Sequence, residues 1–352
     1  MNTIPKASIP GMTFLIISLI VSGAATEVRS QAVTIDLIRG CENNKTIKLS
    51  EIASQINLVK LETTKECLIG RTDKLYSFND DWFIQFGGLL RFDHNGKYLN
   101  KISRKGKGPG EYIEISGICF NHNNGHAYII NRSTAKAMEF SLDGKLTGSS
   151  KNDGVKSVLL NNQYFVNYFN QRALYLADGY RITVVDLKGK IQKKLLHQKI
   201  PEDFTHLPSG NWQIENFRDS VTVFDSGCDT MYRISSDLKI TPRYILNLGR
   251  EAVPRILRVT GSSPDYWDEV NRYSYVYRFM ETDRFLFLEV LRKGNFIKMI
   301  YNKVNGDCFS MEQHSVLVID DLDLWSNFWP MGTTEDGQLY PTCGASLMEP
   351  ED

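Results

Sequence analysis

The chain has 352 residues, a hydrophobic content of 42%, and 41 basic side chains balanced by 41 acidic ones. That composition excludes wholesale disorder, and the zero net charge argues against nucleic acid, whose phosphate backbone is held mainly by excess Lys and Arg. Glycine at 26 residues and aromatic residues at 11% suit a chain of many tight turns and strand faces.

At the N-terminus, Lys6 precedes an apolar run from Met12 to Val21, and the small residues Ser22-Gly-Ala-Ala25 follow. A positive charge, a short apolar core and a small-residue exit describe a secretory signal peptide over 1–25, with cleavage near Ala25 or Ala32. The protein is therefore expected to be exported, to the periplasm or the cell surface. No later stretch approaches the ~18 continuous apolar residues of a membrane span, so no transmembrane domain is expected in the mature chain. A lipid anchor wants a cysteine directly after the apolar core, and Cys41, preceded by Arg39-Gly40, is badly placed for one. Cys41, Cys67, Cys119, Cys228, Cys308 and Cys343 contain no CxxC, and the sequence selects none of the possible disulfide pairings.

Residues 26–49 read as a leader segment with little periodicity. Ser50 is placed to cap a short helical turn. Ile56–Leu61 then form a strand, and an isolated early strand can complete the last blade of a closed propeller. From there a hairpin pattern recurs. Phe92-Asp-His-Asn-Gly96-Lys is followed by Phe140-Ser-Leu-Asp-Gly144, Val185-Asp-Leu-Lys-Gly189 and Ile234-Ser-Ser-Asp-Leu238, at intervals of 48, 45 and 49 residues. A period of this size, carried by strands and turns, is the signature of a propeller of four-stranded blades.

The first blade is predicted over 67–103, with turns at Asn79-Asp-Asp81, Gly87-Gly88 and His94-Asn-Gly96. The second runs through Ile115–Phe120, Ala127–Ile130 and Ala137–Phe140. The third takes Ser157–Leu160, Tyr164–Tyr168, Ala173–Tyr175 and Arg181–Val185. The fourth extends from Trp212 to Leu248. The period breaks at 250–271, where Pro254 and Thr260-Gly-Ser-Ser-Pro-Asp-Tyr-Trp267 mark an insertion. A fifth blade resumes at Tyr275, and Val316–Ile319 and Gln338–Tyr340 leave about half of a sixth. The expected architecture is an all-β, six-bladed β-propeller over 50–352, its final blade short or closed by the N-terminal strand.

Chemistry is harder to read. His122 and His126 flank Asn123-Asn-Gly125, so a hairpin could oppose them, but no third metal ligand lies nearby in sequence. Asp320-Asp-Leu-Asp323 lacks the glycine of a calcium loop. No metal or cofactor is expected from these patterns. Gly106-Lys-Gly-Pro-Gly110 follows a hairpin rather than entering a helix, so it serves as a crossing between blades rather than a phosphate loop. Its neighbours Arg104, Lys105 and Lys107 are candidates for an anionic ligand. Trp212, Tyr266 and Trp267, in inter-blade or inserted segments, are candidates for stacking on a sugar or anchoring a peptide, and Trp325, Phe328 and Trp329 form a second aromatic group.

Leu61-Glu-Thr-Thr64, Cys67-Leu-Ile-Gly70, Phe92-Asp-His-Asn-Gly96-Lys and Ile102-Ser-Arg-Lys-Gly-Lys-Gly-Pro-Gly-Glu-Tyr112 resemble the six-bladed β-propeller proteins of Bacteroides and related bacteria. They are more distantly similar to NHL and TolB-like propellers. The resemblance spans about 50–352 and implies an exported, often lipid-anchored protein without a settled activity. The expected function is a non-catalytic module binding a glycan, a peptide or an envelope protein partner. The alternative is a hydrolase or lyase acting on a carbohydrate or ester at the axial mouth.

Overall fold

The computed structural model describes residues 14–20, 31–70, 74–198, 212–225, 228–254, 257, 266–311, 318–319, 321–322, 328–334 and 337–341. The chain opens with β1 (Phe14–Ile20), β2 (Val33–Asp36), α1 (Leu37–Glu42), β3 (Ile47–Lys48), α2 (Leu49–Ile52) and β4 (Gln55–Leu61). The apolar core of the expected signal peptide is paired as a strand, and the segment read as lacking periodicity is folded from Val33 onward. Its elements are too short to show a period, but Asp36 caps α1 by accepting from the Arg39 N–H at 3.0 Å. Ser50 is not the cap of α2. The Lys48 N–H is met by Glu51 Oε1 at 3.0 Å, while the Ser50 N–H and hydroxyl both donate to Asp321, at 3.0 and 2.6 Å.

Five sheets of consecutive antiparallel strands follow. Blade one contains β5 (Lys74–Phe78), β6 (Asp81–Gln85), β7 (Gly88–Phe92) and β8 (Tyr98–Arg104). Blade two contains β9 (Ile115–Asn121), β10 (His126–Asn131), β11 (Lys136–Phe140) and β12 (Leu146–Lys151). Blade three has β13 (Lys156–Leu160), β14 (Tyr164–Tyr168), β15 (Tyr180–Asp186) and β16 (Ile191–His197). The expected strand at Ala173–Tyr175 is instead a 3₁₀ turn over Gln171–Ala177, because Asn170 Oδ1 captures the Ala173 N–H at 3.1 Å. Blade four has β17 (Trp212–Phe217), β18 (Ser220–Asp225), β19 (Thr230–Ile234) and β20 (Ile240–Asn247), and β2 joins it as a parallel fifth strand. After α3 (Tyr266–Val270), blade five has β21 (Ser274–Glu281), β22 (Phe285–Arg292), β23 (Asn295–Asn302) and β24 (Cys308–Ser310).

β25 (Val318–Ile319) pairs in parallel with β3, and the chain continues into β26 (Pro330–Thr333) and β27 (Leu339–Pro341). The sequence predicts six blades. The structure has five made of consecutive strands, and a further four-stranded sheet, ordered β26-β27-β1-β4, that draws on both ends of the chain. The early strand expected at Ile56–Leu61 is β4, the outer strand of that sheet.

First strands of neighbouring sheets touch, β9 with β13, β13 with β17 and β17 with β21, and β26 lies between β21 and β5. The approach is close. A Cβ at Gly117 of β9 would sit 2.3 Å from the Ser157 carbonyl of β13. Apolar residues fill the spaces between blades: Phe78 and Phe83 pack on Phe120, Ile129 and Phe140, and Phe224 and Met231 pack on Phe279 and Leu288. The repeated hairpin also meets the chain-end sheet. Gly96, with φ of +83°, accepts from the Glu62 N–H just beyond β4 at 2.8 Å, and the Glu62 carboxylate accepts from Tyr98 N–H at 2.9 Å.

A buried charge cluster joins blades four and five. Glu281, 6% exposed, accepts from Arg243 Nη2 at 2.7 Å, Lys303 Nζ at 3.0 Å and the Tyr244 hydroxyl at 2.8 Å. The two cations also lie 4.6 and 4.4 Å from the centre of the Phe217 ring. Removing one member of a buried ion pair strands the others. Glu281→Ala is expected to cost about 3–5 kcal/mol in urea unfolding, whereas Asp237→Ala, in an exposed pair with Lys239, should leave the urea midpoint essentially where it is.

Candidate functional site

The inner strands deliver charged side chains to one another. Lys74 and Lys156 are the first residues of β5 and β13, Glu215 lies in β17 and Arg278 in β21, so four blades contribute. Alternation along β17 places Gln213 and Glu215 on one face, opposite Ile214, which is buried between blades three and four. Gln213 bonds to β21 on both sides of its amide: its Nε2 donates to the Phe279 carbonyl at 3.0 Å and its Oε1 accepts from the Phe279 N–H at 2.5 Å. It also donates to Glu215 Oε1 at 3.4 Å. A β-bulge between Val276 and Arg278 turns Arg278 toward β26, where it donates to Met331 Sδ at 3.2 Å and to the Met331 carbonyl.

Glu215 interacts electrostatically with Lys74, Arg278 and Lys156. Burial nevertheless pushes its carboxyl above the usual carboxylate range, against the pull of those three cations. Lys156 is lowered by the same enclosure and by the charge of Lys74. Lys74 and Lys156 are exposed, and Glu215 and Arg278 are half-buried. Three cations against one carboxylate leave a net positive site, and such a site favours an anion. Tyr340 of β27 extends the group by donating to the Leu75 carbonyl at 3.1 Å.

The basic run at 104–107 is not part of this cluster. Arg104 Nε donates to Glu111 Oε1 at 2.6 Å, and the Gly108 N–H donates to Glu111 Oε2 at 2.8 Å, so the glycine-rich exit closes on its own carboxylate. The Gly108 N–H is the main reason that Glu111 titrates lower than an ordinary carboxylate. Lys105 and Lys107 are exposed. Trp212 begins β17 and Tyr266 and Trp267 begin α3; their side chains lie outside the described residues. Of the second aromatic group, Phe328 and Trp329 are buried, and Trp329 Nε1 donates to Glu289 at 2.9 Å; Trp325 lies outside the described residues.

His122 and His126 are not brought together as metal ligands. His126 Nδ1 is 2.8 Å from Glu139 Oε1, and the His122 ring lies 4.7 Å from that of Phe78. Among the described residues no group of three or more His, Cys, Asp and Glu side chains could hold a metal. Asp321 is occupied with Ser50, and Asp320 and Asp323 lie outside the described residues. The five described cysteines form no disulfide, and no described helix is long and apolar enough to cross a membrane.

A second ion cluster lies where blade four leads toward blade five. Glu251 accepts from Arg292 Nε at 2.8 Å, Arg292 Nη2 at 3.0 Å and the Ser274 hydroxyl at 3.1 Å. Those bonds, the Arg292 one foremost, hold its carboxyl at about 2. An unfolded glutamate titrates near ~4.3, so the clamp stabilises the fold fully above that pH and is lost as pH falls through about 2. Wild-type protein should accordingly lose more thermal stability than Glu251→Gln between those two limits, as read by circular dichroism melts.

No curated protein matches the chain. A family model described as a domain of unknown function, DUF4934, matches residues 32–350. Among solved structures, a Bacteroides fragilis protein named for its inferred export is 17% identical, covers 80% of each chain and has a TM-score of 0.61. A DUF4221-family member from Bacteroides vulgatus is 10% identical over 71% of this chain and 83% of its own, with a TM-score of 0.47. A streptogramin B lyase is 12% identical over 95% and 97%, with a TM-score of 0.46. Likeness at this identity concerns the fold alone.

Proposed function

The chain belongs to the DUF4934 family, and we propose that it is an exported binding module that takes a carboxylate- or sulfate-bearing glycan or peptide, free or on an envelope protein, at the axial cluster of Lys74, Lys156, Glu215 and Arg278. In this reading the chain-end sheet acts as a sixth blade, giving the ring the six-bladed form of NHL and TolB-like propellers, and the protein works in the periplasm or at the cell surface. The observation that carries the binding reading is the convergence of three cations on one carboxylate from four different blades. Strand-borne groups hold their geometry without an ordering cost at binding. The leader supports export.

A second reading has one observation in its favour. Glu215 is a carboxyl raised by burial beside cations, the condition of a general acid, which suits a hydrolase or lyase acting at the same place.

The test is binding of the full chain to polygalacturonate, a sulfated glycan, an acidic peptide and a neutral glycan, followed by thermal shift and calorimetry. Acidic probes should raise the melting temperature in a salt-sensitive manner, and Lys74→Glu with Lys156→Glu should abolish the effect while Arg104→Glu leaves it intact. Equal shifts with the neutral glycan, or loss with Arg104→Glu alone, would remove the axial site. Turnover of a bound probe that disappears in Glu215→Gln would establish the enzymatic reading.

A further inference from the structure

α1 rests on blade five over a cluster of three sulfur atoms. Met299 of β23 pairs with Ser310 of β24, and Tyr301 with Cys308, so alternation puts all four side chains on one face of the sheet. Met299, Tyr301 and Cys308 pack there with Cys41 of α1, whose Sγ donates to Met299 Sδ at 3.6 Å. Gly40, next to Cys41, is what lets the helix come down: a Cβ in its place would lie 2.6 Å from Cys308 Sγ and 2.6 Å from Met299 Cε. The two segments are also pinned to each other beside both cysteines. The Ser310 hydroxyl donates to the Cys41 carbonyl at 3.1 Å, and Asn43 Nδ2 donates to the Cys308 carbonyl at 3.0 Å. Burial foremost, and then the neighbouring Cys41, push the Cys308 thiol up to about 12. The other described cysteines lie elsewhere. Cys67 donates to the Glu62 carbonyl at 3.2 Å, Cys119 donates to the Ser157 carbonyl at 3.9 Å, and Cys228 sits between β18 and β19.

We propose that Cys41 and Cys308 are the partners of a disulfide that forms after export and fastens α1 to β24. The export reading supplies only the oxidising compartment; the pairing is a property of the fold and is tested in vitro, apart from any ligand of the axial cluster. Cys308 is half-buried and Cys41 is 8% exposed, so the Cys308 thiolate is the one that attacks a disulfide-bearing oxidant, forming a mixed disulfide and expelling one thiolate. The Cys41 thiolate then attacks the Cys308 sulfur, which forms the Cys41–Cys308 bond and expels the second thiolate. The oxidant takes up the two electrons and two protons and leaves as two thiols. The loop so closed runs from α1 to β24 and holds blades one to four whole. The segment that carries β2 into blade four and β3 onto β25 is thereby tied covalently to blade five, a closure independent of the chain-end sheet. A cross-link over so long a loop restricts the unfolded chain strongly.

The experiment holds the purified, reduced full chain in excess oxidised glutathione until modification stops, blocks the remaining thiols with iodoacetamide in denaturant, and maps peptides without reduction after trypsin and chymotrypsin. Peptides 40–45 and 304–309 should appear joined by mass, with Cys67, Cys119 and Cys228 alkylated. The oxidised chain should melt on the order of 5 °C above the reduced one, a difference that Cys41→Ser and Cys308→Ser abolish and Cys228→Ser keeps. In Cys41→Ser the exchange should halt with one glutathione on Cys308. Alkylation of both Cys41 and Cys308 in the oxidant-treated wild-type chain marks them as inert core thiols and overturns the proposal, whether or not the variants fold. Joining of either to a different cysteine overturns it equally.

Discussion

A ring of sheets loses its open flanks only when its last sheet is bound to its first, and this protein meets that constraint by building one sheet from both ends of the chain. β26 and β27 come from the C-terminal side, β4 and β1 from the N-terminal side, and β26 rests between the inner strands of blades five and one. Hydrogen bonds between strands distant in sequence cannot form until the intervening blades are in place. Closure therefore couples the blades, and the Glu62 contacts to the β7–β8 hairpin add a second tie across the same seam.

Within the ring, blades hold one another through two kinds of contact. Apolar layers between sheets supply most of the burial. Polar ties then fix the orientation: Gln213 mimics a backbone pair between β17 and β21, Asn216 donates to the Leu159 carbonyl at 3.0 Å, and Glu281 gathers three donors from blade four and blade five. The N-terminal elements extend this pattern outward. β2 lengthens blade four, α1 packs on blade five, and β3 pairs with β25, so a segment without a blade of its own laces together three parts of the ring.

The same geometry explains why charge accumulates at the axis. Lys74, Lys156 and Arg278 sit on three first strands, and Lys156 feels the charges of both others, at an electrostatic cost that Glu215 partly offsets. An arrangement that repels itself when empty gains most from an anion. The exit loop at 104–112 is the contrasting case, since its arginine is already matched by Glu111.

The sequence by itself determined the strands, most of the turns and the repeat. Those depend on neighbours a few residues apart: Asp93 Oδ1 accepting from the N–H groups of Asn95 and Lys97, glycines at positive φ, and apolar alternation. It also marked β4 as a strand destined for the closing sheet. It missed β2 and β3, short elements whose partners are remote, because a segment of two to four residues has no period to detect. It placed Phe328 and Trp329 among candidate binding aromatics although both are buried, since burial is decided by blade five rather than by neighbours in sequence. Lys74, Lys156, Glu215 and Arg278 carried no signal at all. They are separated by up to about two hundred residues and share no motif; only the packing of the blades side by side brings them within reach of one another.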